Sequence, residues 1–115
     1  MAELNIKQRQ AGDVAILDLD GQVRMGDSAA ALRGAIRGLV AAGNKKILLK
    51  LAGVKYIDSG GIGELIANYT HVGRSGGQMK LLNLTDKVQD LLVITKLLTV
   101  FDVYEDEAEA LSSFS

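Results

Sequence analysis

Cysteine, proline and tryptophan are all absent from this chain of 115 residues, and histidine occurs once, at His71. Without cysteine there is no disulfide framework, no thiolate metal site and no cysteine nucleophile. A lone histidine excludes histidine-rich metal centres and weakens any catalytic triad. Aromatic residues make up only 4% of the chain, too few for the stacking platforms that grip single-stranded nucleic acid. Charge of one sign is lacking too. Thirteen Lys and Arg face fourteen Asp and Glu, for a formal net charge of −1. That balance argues against a nucleic-acid binder that works by bulk charge. No apolar run approaches the ~20 residues of a membrane-spanning helix. The opening decapeptide MAELNIKQRQ has no apolar signal core. The expected address is therefore the cytoplasm, with no membrane span and no nucleic acid among the partners.

What remains is an ordinary globular composition, with 48% hydrophobic residues and 23% charged. The length predicts a single domain over residues 1–115. A chain of this size buries roughly 60–70% of its unfolded surface and needs no covalent staple.

Two patterns alternate along the chain. Asn5 to Gln10 and Val14 to Leu19 read as strands of a β-hairpin, with Ala11-Gly12-Asp13 as the turn and Asp20-Gly21 as the end. A loop runs to about Asp27. Asp27 or Ser28 caps a first helix, in which Ala29, Leu32, Ile36, Leu39 and Val40 recur at helical spacing. Gly34 and Gly38 inside it each cost about 1 kcal/mol against alanine. Gly43-Asn44 stops it. Ile47 to Leu51 is a nearly continuous apolar run, the mark of a buried strand. Ile62, Leu65, Ile66, Tyr69 and Val72 make a second helical stripe, broken by Gly73, Gly76 and Gly77. Met79 to Leu84 is a further strand. Thr85-Asp86 opens a third helix carrying Val88, Leu91, Leu92 and Leu98. Val100 to Tyr104 is a last strand, and Glu105 to Leu111 a short acidic helix. The order β-β-α-β-α-β-α-β-α predicts an α/β fold, a mixed sheet of an opening hairpin plus parallel strands packed with four helices.

The stretch Tyr56-Ile57-Asp58-Ser59-Gly60-Gly61-Ile62-Gly63 lies where a strand gives way to a helix. Ser59 sits at the expected N-cap, where its hydroxyl has a plain structural role as acceptor for an unpaired backbone N–H. Alternatively Ser59 is a phosphorylation site. Three glycines within four positions leave it sterically open, and a phosphate there meets bare N–H groups and the positive end of the helix dipole. It would add about −1.5 to −2 charge. Such a group holds the helix end, so a switch must act at a partner's surface. Asp58 beside it repels the phosphate and works the other way.

Other motifs fail on context. Gly61-Ile62-Gly63 starts a dinucleotide fingerprint, but the third glycine position is Ile66, and no P-loop occurs. Nucleotide binding would rest on the helix N-terminus alone. Gly73-Arg74-Ser75-Gly76-Gly77 matches G-x-S-x-G, but a helix precedes it and a strand follows, the reverse of the hydrolase elbow, and His71 comes before the serine. It reads as a helix-terminating turn, with His71 favoured there by the dipole. Leu91-Leu92-Val93-Ile94-Thr95-Lys96-Leu97-Leu98 carries more apolar residues than one helix face can bury. Either other elements cover it on several sides, or it presents a patch to a partner or a second copy, which leaves a homodimer open.

At Asp58-Ser59-Gly60-Gly61-Ile62-Gly63 the chain resembles the STAS domains, the sulfate-transporter and anti-sigma-factor-antagonist family, and among them the free-standing bacterial anti-sigma factor antagonists. The family pattern is Asp-Ser-(Ser/Thr)-Gly-(Leu/Ile)-Gly after a strand. The resemblance extends over the opening hairpin, the Gly21-Gln22-Val23 turn, the strand from Lys46 to Leu51, Met79 to Leu84, and the stretch from Leu97 to Tyr104. It implies that Ser59 is the phosphorylated serine. It implies that an anti-sigma factor with serine-kinase activity modifies it, that the unmodified antagonist binds that kinase and frees a sigma factor, and that a serine phosphatase resets it. The antagonist would be substrate and switch, not an enzyme and without cofactor of its own. ATP and magnesium belong to the kinase. Some STAS domains serve instead in signalling scaffolds or lipid-transport complexes, without phosphorylation. Two departures stand out: Gly60 replaces the second hydroxyl, and Arg24 stands where many antagonists carry an acid, with Asp27 three residues on. The expected switch loop is Asp58, Gly60, Gly61 and Gly63 around Ser59. The expected partner surface adds Arg24, Asp27, Arg33, Arg37 and Glu64.

Overall fold

The structure, a computed structural model, describes residues 3–114. Its elements are β1 (Leu4–Ala11), β2 (Val14–Val23), α1 (Asp27–Ala41), β3 (Lys46–Ile57), α2 (Ser59–Arg74), β4 (Gln78–Leu82), α3 (Asp86–Ile94), a 3₁₀ turn (Leu98–Val100), β5 (Val103–Tyr104) and α4 (Glu107–Ser112). The sheet order is β1-β2-β3-β4-β5. β1 and β2 are antiparallel, and every later pairing is parallel. The expected mixed sheet with four α-helices is what forms.

Burial explains the sequence pattern. The central strands are covered on both sides, so Ile47, Leu48 and Leu49 are all buried. One face packs Ala15, Leu17, Leu19, Ile47, Leu49, Leu51, Met79 and Leu81 against Leu32, Ile36 and Leu39 of α1, Ile62, Leu65 and Val72 of α2, and Val88 and Leu92 of α3. The other face gathers Val14, Ile16, Leu48 and Leu82 beneath Ala110 of α4. Lys80, almost fully buried, fastens that helix: its Nζ donates to the Ser113 carbonyl and hydroxyl, both at 3.0 Å, and lies 5.0 Å from the Phe114 ring. Beside α4, the Arg9 guanidinium donates to Asp18 at 2.6 and 2.9 Å and to Glu107 at 2.8 and 3.3 Å. These bonds hold both carboxyls below their ordinary range.

Several boundaries differ from the sequence reading. β2 continues through Asp20-Gly21 to Val23, because the pairing with β3 shifts register there instead of stopping. Gly21 is required at that shift. Its φ is +124°, and a Cβ would lie 2.2 Å from the Glu3 carbonyl oxygen. β3 likewise runs on to Ile57. β4 ends at Leu82, where Asn83 turns left-handed (φ 55°) and the chain leaves the sheet. Neither Asp27 nor Ser28 caps α1. Gly26 is its N-cap, and the Ser28 hydroxyl instead ties the loop by accepting from the Arg24 N–H and donating to the Arg24 carbonyl. α3 stops at Ile94, two residues before left-handed Lys96 (φ 61°), so Leu98 belongs to the 3₁₀ turn. Val100 lies in that turn as well, leaving β5 two residues long.

Candidate functional site

The C-terminal ends of β2 and β3 lie side by side, with Val23 opposite Ile57. The loop after β2 and the start of α2 after β3 therefore meet. Asp58 makes that meeting. Its Oδ1 accepts from the Gly61 N–H at 2.8 Å, and its two oxygens accept from the Met25 N–H at 3.2 and 3.3 Å. Asp58, not Ser59, is the N-cap of α2. Both residue types cap well. The second bond to Met25 is what only the aspartate position offers. Ser59 is the first residue of the helix and is exposed. Its hydroxyl has no hydrogen-bond partner among the described residues. It does no structural work there.

The glycines divide by role. A Cβ on Gly61 would lie 2.2 Å from the Val23 carbonyl oxygen and 2.8 Å from Ile57 Cγ1. One on Gly60 would lie 2.7 Å from Met25 Cβ and 3.1 Å from its Cα. Both glycines are small because the β2–α1 connection crosses them, not to open access to Ser59. Gly63 is exposed, and a Cβ there would meet nothing within 4 Å, so only Gly63 fits the expected role of leaving space.

The remaining expected residues are spread over a wider area. Asp27 lies exposed in the first turn of α1, and Arg37 is exposed further along it. Arg33 and Glu64 come together across α1 and α2. Arg33 Nη2 donates to Glu64 Oε1 at 2.6 Å, and its Nε reaches both carboxylate oxygens at 3.2 Å. Glu64 is buried, at 6% exposure, and also accepts from the Asn68 amide at 3.0 Å. It fastens two helices and does not face outward, a correction to its expected place on the partner surface. Half of the Arg33 side chain stays exposed.

Sequence reasoning missed the aromatic beside the serine. Tyr56 is 38% exposed, with the Arg24 guanidinium 5.3 Å and the Lys87 ammonium 5.4 Å from its ring centre. Tyr56 and Lys87 line a groove of about 470 Å³ together with Ile57, Asp58, Ser59, Asp90, Leu91 and Ile94. Ile94 is 75% exposed and Val93 51%, so the excess apolar surface of α3 is only partly covered. Met25, also 75% exposed, stands over Gly60, the residue after the serine. The other sequence motif resolves as a turn. Ser75 is the C-cap of α2, its hydroxyl donates to the His71 carbonyl at 2.9 Å, and Gly76 has φ +83°. Among the described residues no group of His, Asp and Glu is placed to hold a metal, and no helix is long and apolar enough to cross a membrane.

A mixed five-stranded sheet thus carries an exposed serine at the β3–α2 junction. The family model of the STAS domain matches residues 5–110, and the chain belongs to that family. It is 29% identical over 66 residues to an anti-sigma F factor antagonist of Paenibacillus polymyxa; the match covers 57% of this chain and 56% of that protein. The chain thus spans just over half the length of that curated relative. A Thermotoga maritima protein crystallised as a candidate anti-sigma factor antagonist superposes with a TM-score of 0.86 at 24% identity, over 95% of this chain and 93% of its own. The Bacillus cell fate determinant SpoIIAA, in its phosphorylated form, superposes with a TM-score of 0.73 at 16% identity, over 95% and 98%.

Proposed function

We propose that this chain is an anti-sigma factor antagonist, a binding module switched by phosphorylation of Ser59. The carrying observation is the hydroxyl of Ser59: exposed, free of any hydrogen bond among the described residues, and set at the first turn of a helix whose cap is already supplied by Asp58. A residue that stabilises nothing is free to be modified. The kinship with the Paenibacillus antagonist supports the same reading.

In this reading the unmodified chain, in the cytoplasm, docks on an anti-sigma factor with serine-kinase activity and displaces a sigma factor. The kinase supplies ATP and magnesium, transfers a phosphoryl group to Ser59 Oγ and lets go. A serine phosphatase restores the hydroxyl. The chain is substrate and switch, and has no catalytic residue or cofactor of its own. Charge is the lever. A phosphate adds about −1.5 to −2 charge beside Asp58. In a close-packed interface with no cation to meet it, that costs several kcal/mol, enough to separate a micromolar complex.

The test pairs the protein with the serine-kinase-type anti-sigma factors of its genome and ATP, and maps phosphate by mass spectrometry. Label on Ser59, absent from Ser59→Ala, is the expected result. Ser59→Asp should bind more weakly than wild type. A second reading, docking alone through the exposed end of α3, is favoured by the exposure of Val93 and Ile94. An unlabelled chain that still binds would select it.

A further inference from the structure

We propose that the Arg24–Tyr56–Lys87 stack is the partner-selecting edge of the Ser59 site, and that it fits an acidic patch on the kinase that docks there. The proposal rests on the switch reading above and deepens it.

Two cations converge on one ring from elements far apart in sequence: Arg24 after β2, and Lys87 in the first turn of α3. Neither is tied into a short ion pair among the described residues. Arg24 has one long contact to a carboxylate, Glu3 at 3.8 Å, and a hydrogen bond to the neutral Gln22 amide at 3.3 Å. Lys87 has no carboxylate within ion-pair distance among the described residues. Stacking on a ring holds a long side chain in place while leaving its charge for other uses. Holding it beforehand lowers the entropy lost on binding. The acids nearby are of two kinds. Asp58 is engaged by the Met25 and Gly61 amides, and Asp90 sits in the groove one helical turn from Lys87. Asp27 and Asp86 are exposed in the first turns of α1 and α3. The rim next to Ser59 is therefore basic at two fixed points.

That rim also explains how phosphorylation would be felt. If the docked surface were basic, a phosphate on Ser59 would attract it and the switch would run backwards. If it is acidic, the phosphate acts twice. It repels the partner's carboxylates, and it competes for the cations that held them. An acidic partner is the one for which added negative charge on Ser59 breaks the complex. Charge complementarity of this kind sets specificity and association rate more than raw affinity.

The experiment measures binding of the purified chain to each purified serine-kinase-type anti-sigma factor of its genome, with Arg24→Glu, Lys87→Glu, the double variant and Ser59→Asp. Circular dichroism checks that each variant is folded; both reversals are at exposed positions. The expected result is at least tenfold weaker binding for each single reversal, more for the double, and an association rate that falls as salt rises. If Ser59→Asp weakens binding while the reversals change it less than twofold, the stack is overturned and the switch stands. Tighter binding by the reversals means a basic partner and overturns the stack in the same way. If Ser59→Asp binds like wild type, or no kinase binds the chain, the switch reading falls and the stack's role falls with it.

Discussion

Two glycines in the same helical turn should respond to alanine with opposite signs. Gly61 and Gly63 are the third and fifth residues of α2. At Gly61 a methyl would sit 2.2 Å from the Val23 carbonyl oxygen and 3.0 Å from its carbon, which are backbone atoms and cannot swing aside. Forcing a methyl into a filled space costs about 1–3 kcal/mol. The same carbonyl accepts from the Asp58 N–H at 3.3 Å, and displacing it threatens that bond for about 1 kcal/mol more. Alanine's helix preference returns about 1 kcal/mol at most. The net expectation for Gly61→Ala is a loss of about 1–3 kcal/mol. At Gly63 a methyl meets nothing within 4 Å, so only the helix preference remains, a gain of about 0.5–1 kcal/mol. Between the variants the midpoint of thermal unfolding should differ by about 6 °C or more. Urea titration and calorimetry measure both. A Gly61→Ala protein that unfolds at or above the wild-type midpoint would refute the contact between α2 and β2 on which the site's geometry depends.

Asp58→Ala should lower stability by about 1–2 kcal/mol, since the cap bond to Gly61 and the bond to Met25 go together; Ser59→Ala, which removes no bond, should melt within a degree or two of wild type. Equal losses in the two variants, read by thermal melts, would return the cap to Ser59. Acid should act through the Arg9 cluster. Asp18 and Glu107 ionise more easily folded than unfolded because Arg9 donates to both. Their contribution is complete above the unfolded values, about 3.9 and 4.3, and is lost as pH falls through the lower folded ones. Arg9→Gln should therefore flatten the fall in stability below about pH 4.5; parallel stability curves for the two proteins would count against the cluster.

The order of elements and the split between an edge hairpin and a buried parallel core are legible in the chain, because period and apolar run length carry them. The ends of elements are less so. Asp20-Gly21 looks like a turn and is instead a register shift in the pairing of β2 with β3, visible only once the two strands lie side by side. Lys96 closes α3 in a left-handed conformation with no glycine to announce it. At the site, the strand-to-helix junction and its exposed serine are readable from six residues. The choice of cap is not. Asp58 and Ser59 are equal locally, and the tie is broken by an amide 33 positions away. The Arg24–Tyr56–Lys87 stack and the Arg33–Glu64 pair join residues about thirty positions apart, and no local pattern encodes them.

The seat of Ser59 is clamped from behind. Val23 presses on Gly61, and the Asp58 carboxylate reaches across to Met25. An anvil of this sort transmits a blow without denting. A charge placed on the serine would leave the surrounding chain nearly superimposable on its former self, so whatever distinguishes the two forms must be sensed as potential in the space outside the molecule. Methods that register shape would see little, and those that register field, such as capillary electrophoresis or titration shifts in nearby side chains, would see the difference at once.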